Sequence, residues 1–100
     1  MATAREIVDD IETHVTDRTP NRRRSDWYAG IAADADTRLF NDHKVSKQNG
    51  KWICLKASSA DVARVAEKAL HKLGFDGGPG GGGGDTVFVY AYLKASYTIE

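Results

Sequence analysis

Tyr28, Gly30 and Arg38 carry the clearest chemical signal in the chain: the glycine follows the tyrosine by two residues, and the arginine follows the glycine by eight. A glycine lets backbone and substrate approach closely. A forked guanidinium matches phosphate oxygens. Brought together, these three are the parts for gripping and hydrolysing a phosphodiester. Arg22, Arg23 and Arg24, just upstream, read as a solvated loop or as further phosphate contacts beside Tyr28. His14 and His71 have no partners at ligand spacing, which argues against a histidine metal site.

The surrounding pattern says what must position these side chains. Thr3 with Glu6 three residues on is a capping box, and Ile7, Val8, Ile11 and Val15 come after it at helical spacing. Pro20 ends that helix, and a polar loop leads to a strand from Trp27 to Ala32. Asp34 caps a second helix whose core-facing residues are Leu39 and Phe40. Asn49-Gly50 is a turn, and Trp52 to Leu55, apolar on both faces, reads as a buried strand. Ser58, with Asp61 three on, opens a third helix whose apolar face is Val62, Ala66, Ala69, Leu70 and Leu73, and Gly74 stops it. A glycine-rich stretch from Gly77 to Gly84 reads as a mobile loop. It lacks the Lys-Ser/Thr of a phosphate-binding loop, and a strand, not a helix, comes after it. Thr86 to Leu93 reads as the last buried strand.

The expected fold is α+β: a small three-stranded sheet, built from about 26–32, 51–56 and 86–94, covered by about three helices. All of 1–100 forms one domain, in which 1–25 is an N-terminal helix and basic loop, 26–74 a core, 75–85 a flexible loop and 86–95 the last strand. Lys plus Arg and Asp plus Glu are 14 each, so net charge draws the chain toward no polyanion, and any nucleic-acid binding must be local. The single cysteine, Cys54, lies between Ile53 and Leu55 and reads as inert packing. The first residues carry no apolar leader and no run is long enough to span a bilayer, so a cytoplasmic protein without a membrane partner is expected.

From Tyr28-Ala-Gly30 through Arg38, a following strand and a helix with Ala63-x-x-x-Glu67, the chain resembles the GIY-YIG nuclease family over about residues 26 to 74. The resemblance implies a GIY-YIG-like core and a metal-dependent endonuclease acting on DNA phosphodiesters. By position, it implies that Tyr28 organises the attacking water and scissile phosphate, that Gly30 admits the substrate, and that Arg38 stabilises charge on the phosphate. It also implies that Glu67 holds Mg²⁺ or Mn²⁺, with His43 in a supporting role at the end of the arginine helix. Family members open with a strand bearing Gly-Ile-Tyr before this motif. Here an acidic helix and an arginine-rich loop stand before Trp27 instead, and the asparagine that members often carry late in the domain has no counterpart. A last strand taking the vacant place in the sheet would supply the missing tyrosine as Tyr90 or Tyr92.

The same residues also have structural readings: Tyr28 as a strand-core aromatic, Arg38 as a solvated helix residue, and Glu67 with Arg64, Lys68 and His71 as surface charge pairs. A scaffold that keeps the fold without catalysis would be a binding module, an inhibitor or accessory subunit with a protein partner.

Overall fold

Thr3 opens the first helix as its spacing to Glu6 requires. Its Oγ1 accepts the Glu6 amide at 3.3 Å while its own amide donates to Glu6 Oε1 at 3.0 Å. Two donors that a helix start leaves orphaned are thereby satisfied. The computed structural model of the chain describes residues 3–48, 50–77 and 84–99. Helix α1, Ala4–Arg18, buries Ile7, Ile11 and Val15 on one face. Its end is tied to the sheet through Thr19, whose hydroxyl donates to the Val15 carbonyl at 2.8 Å and accepts from Trp27 Nε1 at 3.0 Å.

Strands β1 (Trp27–Ala32), β2 (Trp52–Lys56) and β3 (Phe88–Leu93) form one antiparallel sheet in the order β1-β3-β2, so the last strand in sequence is the central one. The architecture is α+β, with three strands under helical cover. Alternation along the strands sorts side chains onto two faces. Trp27, Ala29, Ile31, Val89 and Ala91 pack with α1 and the second α-helix. Tyr28, Tyr90, Tyr92, Trp52 and Cys54 face the other way, against Leu39, Phe40 and Val45. β3 is buried on both faces as its apolar run requires. The sequence expectation for β2 needs correction, because that strand lies at an edge and Trp52 to Leu55 are only half-buried.

Helix α2, Ala60–Lys72, is capped by Ser59, whose Oγ accepts the Val62 amide at 3.2 Å, and not by the expected Ser58. Its buried face is Ala60, Ala63, Ala66, Glu67 and Leu70. Leu73, expected on that face, is 42% exposed. The helix is rotated so that small alanines meet the sheet and a carboxylate goes inside. It ends in a Schellman motif: Phe75 N–H bonds the Leu70 carbonyl at 3.2 Å, Gly74 N–H bonds the His71 carbonyl at 3.1 Å, and Gly74 takes a φ of +112°. Phe75 is buried, and Asp76 then forms a parallel bridge to Tyr28 on the outer edge of β1. The start of the expected flexible loop over 75–85 is therefore held on the sheet. Residues 78–83, the rest of its glycine run, lie outside the described residues, as does Asn49 of the expected turn.

Asp34 caps the second helix as expected, accepting the Thr37 amide at 3.2 Å and the Thr37 hydroxyl at 3.0 Å. The helix itself, Thr37–Asp42, is a π-helical turn. Its signature is a bond from the His43 amide to the Arg38 carbonyl at 2.8 Å, one residue longer than an α-helical bond. Leu39 is fully buried, and Phe40 is half-buried edge-on against Trp52 at 5.0 Å. Lys44, at φ 61°, turns the chain away from the π-helix. Among the described residues no helix is long and apolar enough to cross a membrane.

Candidate active site

The sheet register puts Tyr28 opposite Tyr92 and Gly30 opposite Tyr90, all four on the face away from α1 and α2. Gly30 is required here by contact. A Cβ at that position would stand 2.7 Å from Tyr90 Oη and 2.8 Å from Cζ, so only a residue without a side chain lets the Tyr90 ring lie across β1. The Tyr28 ring stacks 5.3 Å from Tyr92 and 6.5 Å from Tyr90.

His43 closes this cluster from the end of the π-helix, with its ring 4.8 Å from Tyr28, 5.6 Å from Tyr90 and 5.0 Å from Tyr92. Its Nε2 is 2.8 Å from Tyr90 Oη, and its Nδ1 is 2.6 Å from the Ile99 carbonyl and 3.1 Å from Tyr92 Oη. The π-helix matters for this arrangement. By widening the turn, it bonds the backbone of His43 to that of Arg38, five residues earlier. Arg38 reaches Asp42 at 4.0 Å, with both half-exposed, a weak pair that leaves the guanidinium available.

Burial raises the pKa of Tyr90 well above the ordinary phenol range, followed by the influence of Tyr28. Arg38 opposes the rise, while Glu67 and Asp42 add to it. Glu67 comes from α2, on the other side of the sheet, and is only 8% exposed. Burial pushes its carboxyl up from the usual glutamate value, partly offset by His71 and Arg64. His71, one turn further along α2, donates from Nε2 to the Ala29 carbonyl at 3.0 Å and so pins the edge of β1 beside Gly30.

Tyr28, His43, Tyr90 and Tyr92 are thus gathered together with Gly30 against Tyr28 and Tyr90, Arg38 stands on the adjoining π-helix, and Glu67 lies on the other side of the sheet. The arginine loop is elsewhere. Arg22, Arg23 and Arg24 line a cleft of about 490 Å³ between the end of α1 and Leu73-Gly74, on the helical side. Arg24 is already committed there, with Nε 2.8 and 2.9 Å from the two Glu12 carboxylate oxygens.

Asp42, His71 and Ile99 join the site without a place in the sequence motif. The first two have a signal, since Asp42 is one helical turn past Arg38 and His71 one turn past Glu67. Ile99 has none, because it takes part through its backbone. Cys54, on the same face, has its thiol pushed up to about 11, chiefly by burial, and is not a nucleophile.

Among the described residues no three His, Cys, Asp or Glu side chains cluster as metal ligands. Glu67 is a single buried carboxylate. It offers one hard oxygen ligand, the donor type Mg²⁺ takes, and the other positions around such an ion would have to be filled by water and substrate phosphate. Comparisons with family models, with curated proteins and with solved structures gave no match to this chain.

Proposed function

We propose that this chain is a GIY-YIG-like endonuclease that hydrolyses DNA phosphodiesters with Mg²⁺ or Mn²⁺. The observation that carries this reading is the seating of Tyr90 across Gly30. The central strand contributes a tyrosine beside Tyr28, where the family resemblance lacked one. In this reading β3 stands in for the missing opening strand. The lone cysteine and a DNA substrate fit a cytoplasmic setting.

In this reading the labour is divided among these groups. Half-buried Tyr28 orients water against the phosphorus, and buried Tyr90 holds the Tyr28 ring in place from the central strand. Arg38, half-exposed and only weakly paired, binds the phosphate oxygens and stabilises the charge they gather as the new bond forms. Glu67 would hold the divalent cation, which when bound supplies Lewis-acid stabilisation of the phosphate. A cation there would also relieve the cost of an ionised carboxylate in a buried position. Arg22 and Arg23 act, in this reading, on flanking backbone and not on the scissile phosphate.

Incubating the purified chain with supercoiled plasmid and Mg²⁺ tests this. Nicking that stops on chelation and falls about a hundredfold or more in Arg38→Ala supports the reading. No cleavage with Mg²⁺ or Mn²⁺ would leave a non-catalytic module with a protein partner.

A further inference from the structure

We propose that β2 pairs with β2 of a second copy of this chain, antiparallel and about a two-fold axis at Cys54, so that one sheet runs through both copies. This does not rest on the endonuclease reading.

The two edges of the sheet differ in how their backbone is satisfied. In an antiparallel ladder alternate residues turn their N–H and C=O toward the neighbouring strand, and the residues between them turn theirs away. Just before β1, the Asp26 carbonyl accepts the Lys94 amide at 2.9 Å, so Trp27 and Ala29 point away from β3. That edge is closed. The Asp76 amide donates to the Trp27 carbonyl at 2.9 Å, the Ala29 amide donates to the Asp76 carbonyl at 2.8 Å, and His71 Nε2 donates to the Ala29 carbonyl at 3.0 Å. Around β2, the Leu93 amide donates to the Lys51 carbonyl at 2.9 Å and the Ala57 amide to the Val87 carbonyl at 2.7 Å. The register therefore turns Ile53 and Leu55 toward β3 as well, and the backbone groups of Trp52, Cys54 and Lys56 face outward. No backbone group among the described residues meets them. β2 is also apolar on both faces, as an interior strand would be, yet Trp52 to Leu55 are only half-buried at the edge. An open apolar edge of this kind is a template for another strand.

A second copy fits because the edge is self-complementary. Antiparallel pairing with Cys54 opposite its counterpart places Trp52 opposite Lys56 and Lys56 opposite Trp52. All of the outward-facing residues are then paired, and each pair exchanges both its hydrogen bonds. Residues directly opposite share a face, so each Lys56 ammonium comes beside the Trp52 ring of the other copy. Lys56 already stands 6.0 Å from the Phe88 ring on that face. No lysine faces a lysine in this register, whereas sliding Lys56 onto its counterpart would oppose like charges. The contact is isologous, and because Asp76 occupies the outer edge of β1, pairing stops at two copies.

Sedimentation and amide hydrogen exchange on the whole chain test this. At millimolar concentration the chain is expected to sediment at twice its 10.9 kDa, and to return to the monomer mass on dilution. The amides of Trp52, Cys54 and Lys56 should be protected only in the concentrated sample, while those of Ile53 and Leu55 are protected in both. Lys56→Pro removes an outward N–H and no bond to β3. It should melt close to the dilute parent and stay monomeric at millimolar concentration. A dimer in which those outward amides exchange as fast as in the monomer overturns the proposal, as does a folded Lys56→Pro that still dimerises. If Lys56→Pro does not fold, the exchange pattern of the parent decides. A parent chain that is monomeric at millimolar concentration also overturns it, and leaves the edge to a strand of another protein.

Discussion

His43 and Ile99 hold each other by two hydrogen bonds in opposite directions: the Ile99 amide donates to the His43 carbonyl at 2.8 Å, and His43 Nδ1 donates to the Ile99 carbonyl at 2.6 Å. This joins the π-helix to the segment after the central strand, and it lies directly over Tyr90 and Tyr92. Thr98 steadies the turn before it, its hydroxyl accepting the Ala95 amide and donating to the Ala95 carbonyl, each at 2.9 Å. Removing residues 95–100 is expected to lower stability by about 1–3 kcal/mol, the worth of two hydrogen bonds made inside a partly buried site. Urea unfolding measures the loss, and near-ultraviolet circular dichroism should show the tyrosine signal weakened. An unchanged tyrosine signal would mean that the clamp does not order the cluster.

Gly30→Ala should harm both fold and site. The new methyl would meet the Oη and Cζ atoms of Tyr90, and that ring is anchored by His43 and cannot swing away freely. Overpacking of this kind costs about 1–3 kcal/mol. Thermal melting and plasmid nicking, measured together, are expected to fall together. A variant as stable and active as the parent would show that Tyr90 does not lie across β1.

Legibility in the sequence depended on whether the signal was local. The capping box at Thr3, the strand at Trp27 to Ala32 and the stop at Gly74 are local, and each stands where its residues put it. The α2 cap slipped by one because Ser58 and Ser59 are chemically equal candidates, and only the docking of alanines on the sheet distinguishes them. Helical spacing does not say which arc of α2 the sheet will cover, so Leu73 reads as inside and Glu67 equally well as a surface charge. The pairing of β3 between β1 and β2 is a long-range choice, and with it came the contact of Tyr90 with Gly30. The π-helix was invisible too, since nothing in Thr37–Asp42 departs from ordinary helical composition.

Glu67→Gln is expected to stabilise the chain at neutral pH. The folded carboxyl has its pKa raised by burial. The native state therefore binds a proton more tightly than the unfolded chain, and stability declines as pH rises from the ordinary glutamate value through the folded one. Once the pH has passed the folded value the buried group is charged and that decline is complete. The amide escapes it, so the variant should melt higher than the parent at pH 7, and the gap should close as pH falls toward the unperturbed glutamate range. A variant that melts lower at pH 7 would mean that the charge is better compensated in the fold than its burial implies.

Gly74→Ala tests the end of α2. At a φ of +112° an alanine side chain is strained, and about 1–2 kcal/mol of stability should be lost. The strain falls on the motif that delivers Phe75 into the core and Asp76 to the edge of β1. Chemical unfolding reads the loss, and a variant as stable as the parent would show that Gly74 is not held in the left-handed region.

The most direct measurement is Mg²⁺-dependent nicking of supercoiled plasmid by the wild-type chain and by Glu67→Gln, each purified identically and melted beside the assay. The predicted result is cleavage by the wild type and a loss of about a hundredfold or more in the variant, which is at least as stable at pH 7. A stable variant that has lost activity separates the carboxylate's chemistry from its place in the fold. Cleavage undiminished in Glu67→Gln, or no cleavage by the wild type, would contradict the assignment.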